Sequence, residues 1–316
     1  MFHLRAPGRS PAAVALALAL TALPALAHAA GPAPTTALYE RTLMGRAGAR
    51  CRLFRPDILF ALGASATQAR GAAVRAGVPY ADIAGAESRA RAVADTVACD
   101  NRDLIAAADK LRSVFTTYAG MRSMAFPGQF ADWRAERPHA AIPGKPARVM
   151  QWNLLQFAPV GEKPTLFGLV TAQGGAVNPP GLTLVSPKAE AMGASTARLI
   201  LRDPAKTDQP YIDARRPGLA GRTPPILLDQ VFLAQAKYAA PRELLPPGVR
   251  QGEAFVFPES AAVAMAQLDP REAVRIDIVY ETRTGERTET AIFEVGDFAA
   301  ARAFLVIRLA PPATKK

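Results

Sequence analysis

The distribution of proline constrains this chain more than any other feature. Between Leu38 and Met124 only Pro56 and Pro79 occur, whereas from Ala125 onward prolines are frequent. A proline inside a helix removes a backbone hydrogen bond and clashes with the carbonyl one turn back, at a cost of about 3 kcal/mol. Long helices are therefore expected in the first stretch, and shorter segments divided by turns in the second.

The first stretch carries the helical period. Leu104, Ala108, Leu111, Phe115 and Tyr118 recur at spacings of 4, 3, 4 and 3, which puts them on one apolar stripe. Asp100 or Asn101 stands where an N-cap belongs, and Asp103 falls in the first turn, where a negative charge suits the helix dipole. Ile83, Ala86, Ala90, Val93 and Val97 form a second stripe, whose alanines allow close helix approach. A third helix is expected from Asp57 to Ala76, closed by Gly77 as a left-handed cap with Pro79 just beyond. A fourth would carry Tyr39, Leu43 and Ala47 and bring Cys51 to its end. Four helices on short loops predict a small antiparallel bundle over residues 36–124.

Pro127, Pro138, Pro143 and Pro146 mark residues 125–147 as a proline-rich linker, and residues 148–310 read as a β-rich domain. Expected strands are Val149–Phe157, Leu166–Ala172, Leu182–Ser186, Ala197–Arg202, Ala254–Phe257, Val274–Tyr280, Thr288–Val295 and Phe304–Leu309. The clearest hairpin turns at Thr284-Gly285, with Ile276, Ile278 and Tyr280 on one face and Arg275, Asp277 and Val279 on the other. Pro224–Tyr238 fits a buried strand or a helix equally well, because period alone does not separate them. A short helix from Ser260 to Leu268 ends before Pro270. The expectation is an α+β fold: a helical bundle followed by a sandwich or partly open barrel with one or two short helices.

The compartment is read from the first residues. Arg5 and Arg9 precede an apolar run from Pro11 to Ala27, and small residues occupy the −3 and −1 positions of Ala27-His28-Ala29. That order matches a secretory signal over residues 1–29, with an uncleaved anchor as the alternative; the apolar run falls short of the ~20 residues of a spanning helix. The remainder has no further segment of membrane-spanning character. Its two cysteines, Cys51 and Cys99, are expected to pair in an oxidising periplasm, because the count is even and the spacing suits neither a redox CxxC pair nor a thiolate metal site.

Charge narrows the partners. The chain carries +11, and the leader removes Arg5 and Arg9 but no acid, leaving +9. An exported basic protein is not expected to meet nucleic acid; an anionic envelope component or another envelope protein is the fitting partner. The charges are spread without long like-charge blocks, which equally describes an ordinary solvated surface.

Reaction-specific motifs are missing from the sequence. Outside the leader His139 is the lone histidine, so a Ser-His-acid triad, HExxH and a histidine-rich metal cluster have too few members. Neither Gly-Ala-Ser run completes GxSxG, and no serine has lysine three positions on. Glycine spacing fits neither the dinucleotide fingerprint nor the phosphate loop. No cofactor and no metal is implied. Paired carboxylates stay open, with Asp229 in ILLDQVFLA as the catalytic candidate, or else an acid on a wet edge. Met121, Met124, Phe126, Phe130 and Trp133 form an apolar cluster that suits either partner docking or packing between the two parts.

QARGAAVRAG at 68–77, the two cysteines, and MRSMAFPG at 121–128 resemble uncharacterised exported proteins of GC-rich proteobacteria, over Tyr39 to Trp133. The resemblance implies export and brings no activity. Two functions follow as expectations: a non-enzymatic exported protein that binds an envelope component or a small ligand, and a periplasmic hydrolase of envelope polymer that uses two carboxylates.

Overall fold

The structure, a computed structural model, describes residues 34–137, 147–156, 162–171, 181–187, 194–245 and 248–306. Residues 1–33, which include the expected leader, and His139 lie outside the described residues. Four helices come first: α1 (Pro34–Arg50), α2 (Pro56–Arg75), α3 (Tyr80–Thr96) and α4 (Arg102–Gly120). The caps follow the local chemistry. Asn101 accepts the Leu104 amide through its side chain at 3.0 Å and opens α4. Gly77, at φ +76°, closes α2, with Val78 N–H donating to Ala73 O and Gly77 N–H to Val74 O.

α1 is the axis of the bundle. α2 and α3 both pack along it while scarcely touching each other. Leu43, Met44, Ala47, Leu62, Ala90, Ala94, Leu104, Leu111 and Phe115 fill the core. Cys51, just past α1, bonds to Cys99 in the α3–α4 loop, with the two Cα atoms 5.4 Å apart. Arg50 reinforces this staple by donating to the carbonyls of Ala94 and Val97 at the end of α3.

The strands are β1 (Ser123–Phe126), β2 (Trp133–Glu136), β3 (Ala147–Gln156), β4 (Glu162–Thr171), β5 (Leu182–Pro187), β6 (Thr196–Arg202), β7 (Asp229–Leu233), β8 (Ala236–Ala239), β9 (Gly252–Val256), β10 (Ala273–Thr282) and β11 (Gly285–Glu294). They form a seven-stranded sheet in the order β1-β2-β3-β4-β5-β9-β8 and a four-stranded sheet in the order β11-β10-β6-β7. Every described pairing is antiparallel. The inner faces meet in a core where Phe167 and Phe293, one from each sheet, stand 4.9 Å apart. Two helices complete the chain, α5 (Glu259–Ala266) and α6 (Phe298–Val306). The fold is α+β, and the sheets do not close into a barrel.

Several local expectations are corrected. Phe304 belongs to α6, not to a strand over Phe304–Leu309, and residues 307–309 lie outside the described part. Phe298, Ala301 and Phe304 recur every three residues and bury one helix face, while alanines favour the helix. Residues 125–136 are not plain linker: β1 and β2 form a hairpin there, with Phe126 opposite Trp133. Pro127, the one proline of this stretch, falls outside the paired positions and does not interrupt the ladder. The β10–β11 turn sits at Arg283-Thr284, one residue earlier than expected, and Gly285 follows at φ +121°. Pro224–Tyr238 is neither a helix nor one strand. A 3₁₀ turn at Ile226–Leu228 leads into β7 and β8, which carry the chain from the four-stranded to the seven-stranded sheet.

α6 joins the two parts of the molecule. It packs on α2 on one side and on β1, β2 and β3 on the other. Tyr118 of α4 meets Phe304 edge to face at 5.5 Å, and the Arg137 guanidinium lies 3.7 Å from the Phe304 ring centroid.

Candidate functional site

The site is organised by the turn Glu294–Asp297, between β11 and α6. The Glu294 carboxylate is fully buried and accepts backbone N–H groups from Gln129, Phe130 and Ala131 at 2.6, 2.7 and 3.0 Å. Three such bonds satisfy the hydrogen-bonding needs of a buried carboxylate, and the Arg222 guanidinium adds a favourable charge nearby. Trp133 Nε1 donates to the Glu294 and Val295 carbonyls at 3.2 and 2.8 Å. Gly296, at φ +47°, lets the chain turn beside Gly128 and Trp133. Asp297 then faces α2, where Arg75 donates to both its oxygens at 2.6 and 2.9 Å. Burial raises the Asp297 carboxyl above its ordinary value; the bonds from Arg75 oppose that shift, and the nearby Glu294 and Asp132 add to it.

Above this pair opens a cleft of ≈ 530 Å³ between the helical and β parts. That volume lies within the roughly 300–1,000 Å³ of small-molecule sites. α2 supplies Thr67, Arg70, Gly71 and Val74; the opposite wall runs from Ala266 to Pro270 and from Val295 to Asp297; Asp208 and Gln209 stand at a third side. Gly71 is required by the close approach, because a Cβ there would sit 2.4 Å from Asp297 Oδ1. Tyr80 hydrogen-bonds Arg271, whose guanidinium lies 5.0 Å from the Tyr80 ring centroid and whose Nε is 3.0 Å from Asp269. Arg202 also lines the cleft and forms a two-bond ion pair with Glu272 at 2.6 and 3.0 Å, with both side chains at least 95% buried. The Glu272 carboxylate also accepts the Tyr211 and Asp269 amides, which fixes both loops.

The residues singled out from sequence scatter. Asp229 is buried at the start of β7, pairs in register with Arg202, and does not line the cleft. The acids that do are Asp208, Asp269 and Asp297. Phe126 and Trp133 are buried in the core, which fits the packing alternative for these two, while Met121 and Met124 are half-buried against it. Apolar side chains on a short hairpin that folds over α6 are drawn inward by the area they remove from water. Phe130 alone of the five is exposed, at 51%, with the Arg222 guanidinium 4.6 Å from its ring centroid. Among the described residues, no group of three or more His, Cys, Asp and Glu side chains could hold a metal ion, and no helix is long and apolar enough to cross a membrane. The sequence reading missed Arg75, Tyr80, Arg271 and Asp297. One partial signal was present: α2 carries two glycines, Gly63 and Gly71, each weakening the helix relative to alanine, and of the two Gly71 marks a close approach.

Comparison of the chain with family models, with curated proteins and with solved structures finds no match. Function therefore has to be argued from the geometry.

Proposed function

We propose that this is an exported, non-enzymatic binding protein of a bacterial periplasm, related to exported proteins of GC-rich proteobacteria, that seats a small polar ligand between its helical and β parts. One observation carries this: the cleft is walled by both parts and presents polar groups from each, Thr67, Arg70 and Tyr80 facing Gln209, Gln267 and Asp269. The N-terminal leader pattern and a disulfide compatible with an oxidising compartment support the location. Binding fits better than paired-carboxylate hydrolysis because two of the three acids lining the cleft, Asp269 and Asp297, are each engaged by an arginine, Arg271 and Arg75, which leaves Asp208 without a second free carboxyl to work with. An acid–base pair needs one carboxyl free to take up a proton and one free to give it.

The test has two parts. The full chain, expressed with its leader, should yield osmotic-shock protein that begins at Ala30. The mature protein is then screened by thermal shift against amino acids, sugars, nucleotides and soluble headgroup analogues. At least one class should stabilise it, and Gln267→Trp, which fills the cleft from an exposed position, should remove that shift. Cytoplasmic retention refutes the location; stabilisation that survives Gln267→Trp refutes the site.

A further inference from the structure

A second concavity lies within the helical part. Because α2 and α3 both pack on α1 and diverge from each other, a groove of ≈ 400 Å³ runs between them with α1 as its floor. At Gly45 and Gly63 a Cβ would find nothing within 4 Å, so neither residue closes the groove. Arg41 rises from α1 and is steadied by the Ser65 carbonyl at 2.8 Å; Arg70 comes from α2 and Arg91 from α3. One acid, Glu87, faces these three cations, at 3.6 Å from Arg70 and 3.9 Å from Arg91. Both distances exceed the roughly 2.7–2.9 Å of a charge-assisted hydrogen bond, so Glu87 leaves donors of both guanidiniums available.

We infer that this groove is an anion site for a ligand bearing a dianionic phosphate. The lining holds three guanidiniums against one carboxylate, and with Glu40, which acts on Arg41 from outside the lining, a net positive charge remains, which suits a phosphate monoester at neutral pH. Guanidinium forks suit the geometry of phosphate oxygens. Burial of Arg41 lowers its pKa, and Glu40 offsets this only in part, so an incoming anion meets a charge that water screens poorly. Thr67 and Arg70 line both the groove and the cleft, so a ligand anchored by phosphate here could extend its uncharged end toward the cleft. The proposal does not depend on what fills the cleft.

Isothermal titration of the protein with inorganic phosphate and with glycerol 3-phosphate tests it, and vesicles containing phosphatidic acid, whose headgroup is a phosphate monoester, separate a soluble phosphate from a lipid source. Both small anions should bind saturably. Arg91→Gln, which lies in the groove but not the cleft, should weaken them by about tenfold or more, as expected for losing a charge-assisted contact. Glu87→Gln should tighten them severalfold by removing the competing carboxylate. Arg198→Gln, in an exposed pair on the four-stranded sheet, should change nothing. Arg70 and Arg91 are about half exposed, so the folded state should survive, with circular dichroism as the check. Absence of saturable heat, equal losses in Arg91→Gln and Arg198→Gln, or weaker binding in Glu87→Gln would each overturn the proposal. Arg91-dependent vesicle binding without phosphate binding would overturn the soluble ligand in favour of a membrane. Gln267→Trp should leave phosphate binding intact, so the cleft and the groove can fail separately.

Discussion

Replacing Arg75 with methionine isolates the contact that ties the helical part to the β part. The side chains are 12% and 1% exposed, and they share two bonds, at 2.6 and 2.9 Å. Removing one member of a buried ion pair costs about 3–5 kcal/mol, chiefly because the other charge is left without compensation. Arg75 keeps some contact with water, so the lower end of that range is expected. The pH dependence gives a sharper test than the magnitude. Asp297 has a raised pKa in the folded protein, so its contribution to stability is fully present below the unfolded value and is lost as pH rises through the folded value. Without Arg75 that carboxyl rises further. The penalty of Arg75→Met, measured by urea unfolding, should therefore be largest near neutral pH and shrink as the solution is acidified toward the ordinary carboxylate range. Adding Asp297→Asn should recover much of the loss at neutral pH, since a neutral amide is cheaper to bury than an unpaired charge. A pH-independent penalty, or no rescue in the double variant, would falsify the assignment of this contact as a desolvated charge pair.

Three further outcomes follow from the same structure. The protein should show no free thiol in denaturant, and Cys51→Ser with Cys99→Ser should cost up to about 4 kcal/mol in guanidinium unfolding, since the bridge spans a sequence separation of 48. Two glycines of α2 should respond in opposite ways to alanine: Gly63→Ala, with open space at its Cβ, should raise stability by about 0.5–1 kcal/mol. Gly71→Ala should instead lower stability, because its Cβ meets Asp297 at 2.4 Å, and equal thermal shifts for the two would contradict the packing described. In an absorbance titration of the six tyrosines, Tyr118, Tyr238 and Tyr280 should stay protonated past the usual value near 10, with Tyr118 pushed up to about 12 by burial. A raised phenol pKa contributes stability that is whole below the unfolded value and fades as pH climbs through the folded one, so alkaline unfolding should set in over that interval.

How much of this was legible in sequence depended on the reach of the interactions involved. Asn101 caps α4 through an amide three residues away, Gly77 closes α2 within a turn, and the Cys51–Cys99 pair follows from there being two cysteines in a chain that reads as exported. These are local or countable features. Phe304–Leu309 read as a strand because its apolar content suits one, whereas Phe304 belongs to the helix Phe298–Val306. What decides it is burial between α2 and the β1–β2 hairpin, which lie far back in the chain. Likewise Trp133 and Phe126 read as either surface or core, and their fate was set by Glu294, whose carboxylate gathers the amides of the intervening loop from more than 160 residues away. The site shared that difficulty: Arg75 and Asp297 stand 222 residues apart, and neither lies in a recognisable motif.

The two segments that carried the resemblance to exported proteins converge on one turn. QARGAAVRAG delivers Arg70, Gly71 and Arg75 to one side of Glu294–Asp297, and MRSMAFPG delivers Phe126 and Gly128 to the other. Gly71 and Gly128 are both held by steric need, since a Cβ at either would collide with an acid of that turn, Asp297 for the first and Glu294 for the second. The turn therefore docks the helical part, anchors the hairpin and forms a wall of the cleft at once. A ligand that touches both walls of the cleft must then favour the docked arrangement, by an amount set by RT ln(1 + [L]/Kd) when it binds the docked form alone. By the same linkage, Arg75→Met should weaken binding in the cleft even though its side chain need not touch the ligand. A substitution in the helical groove, such as Arg91→Gln, leaves the docking contacts intact and should not act on the cleft in this way.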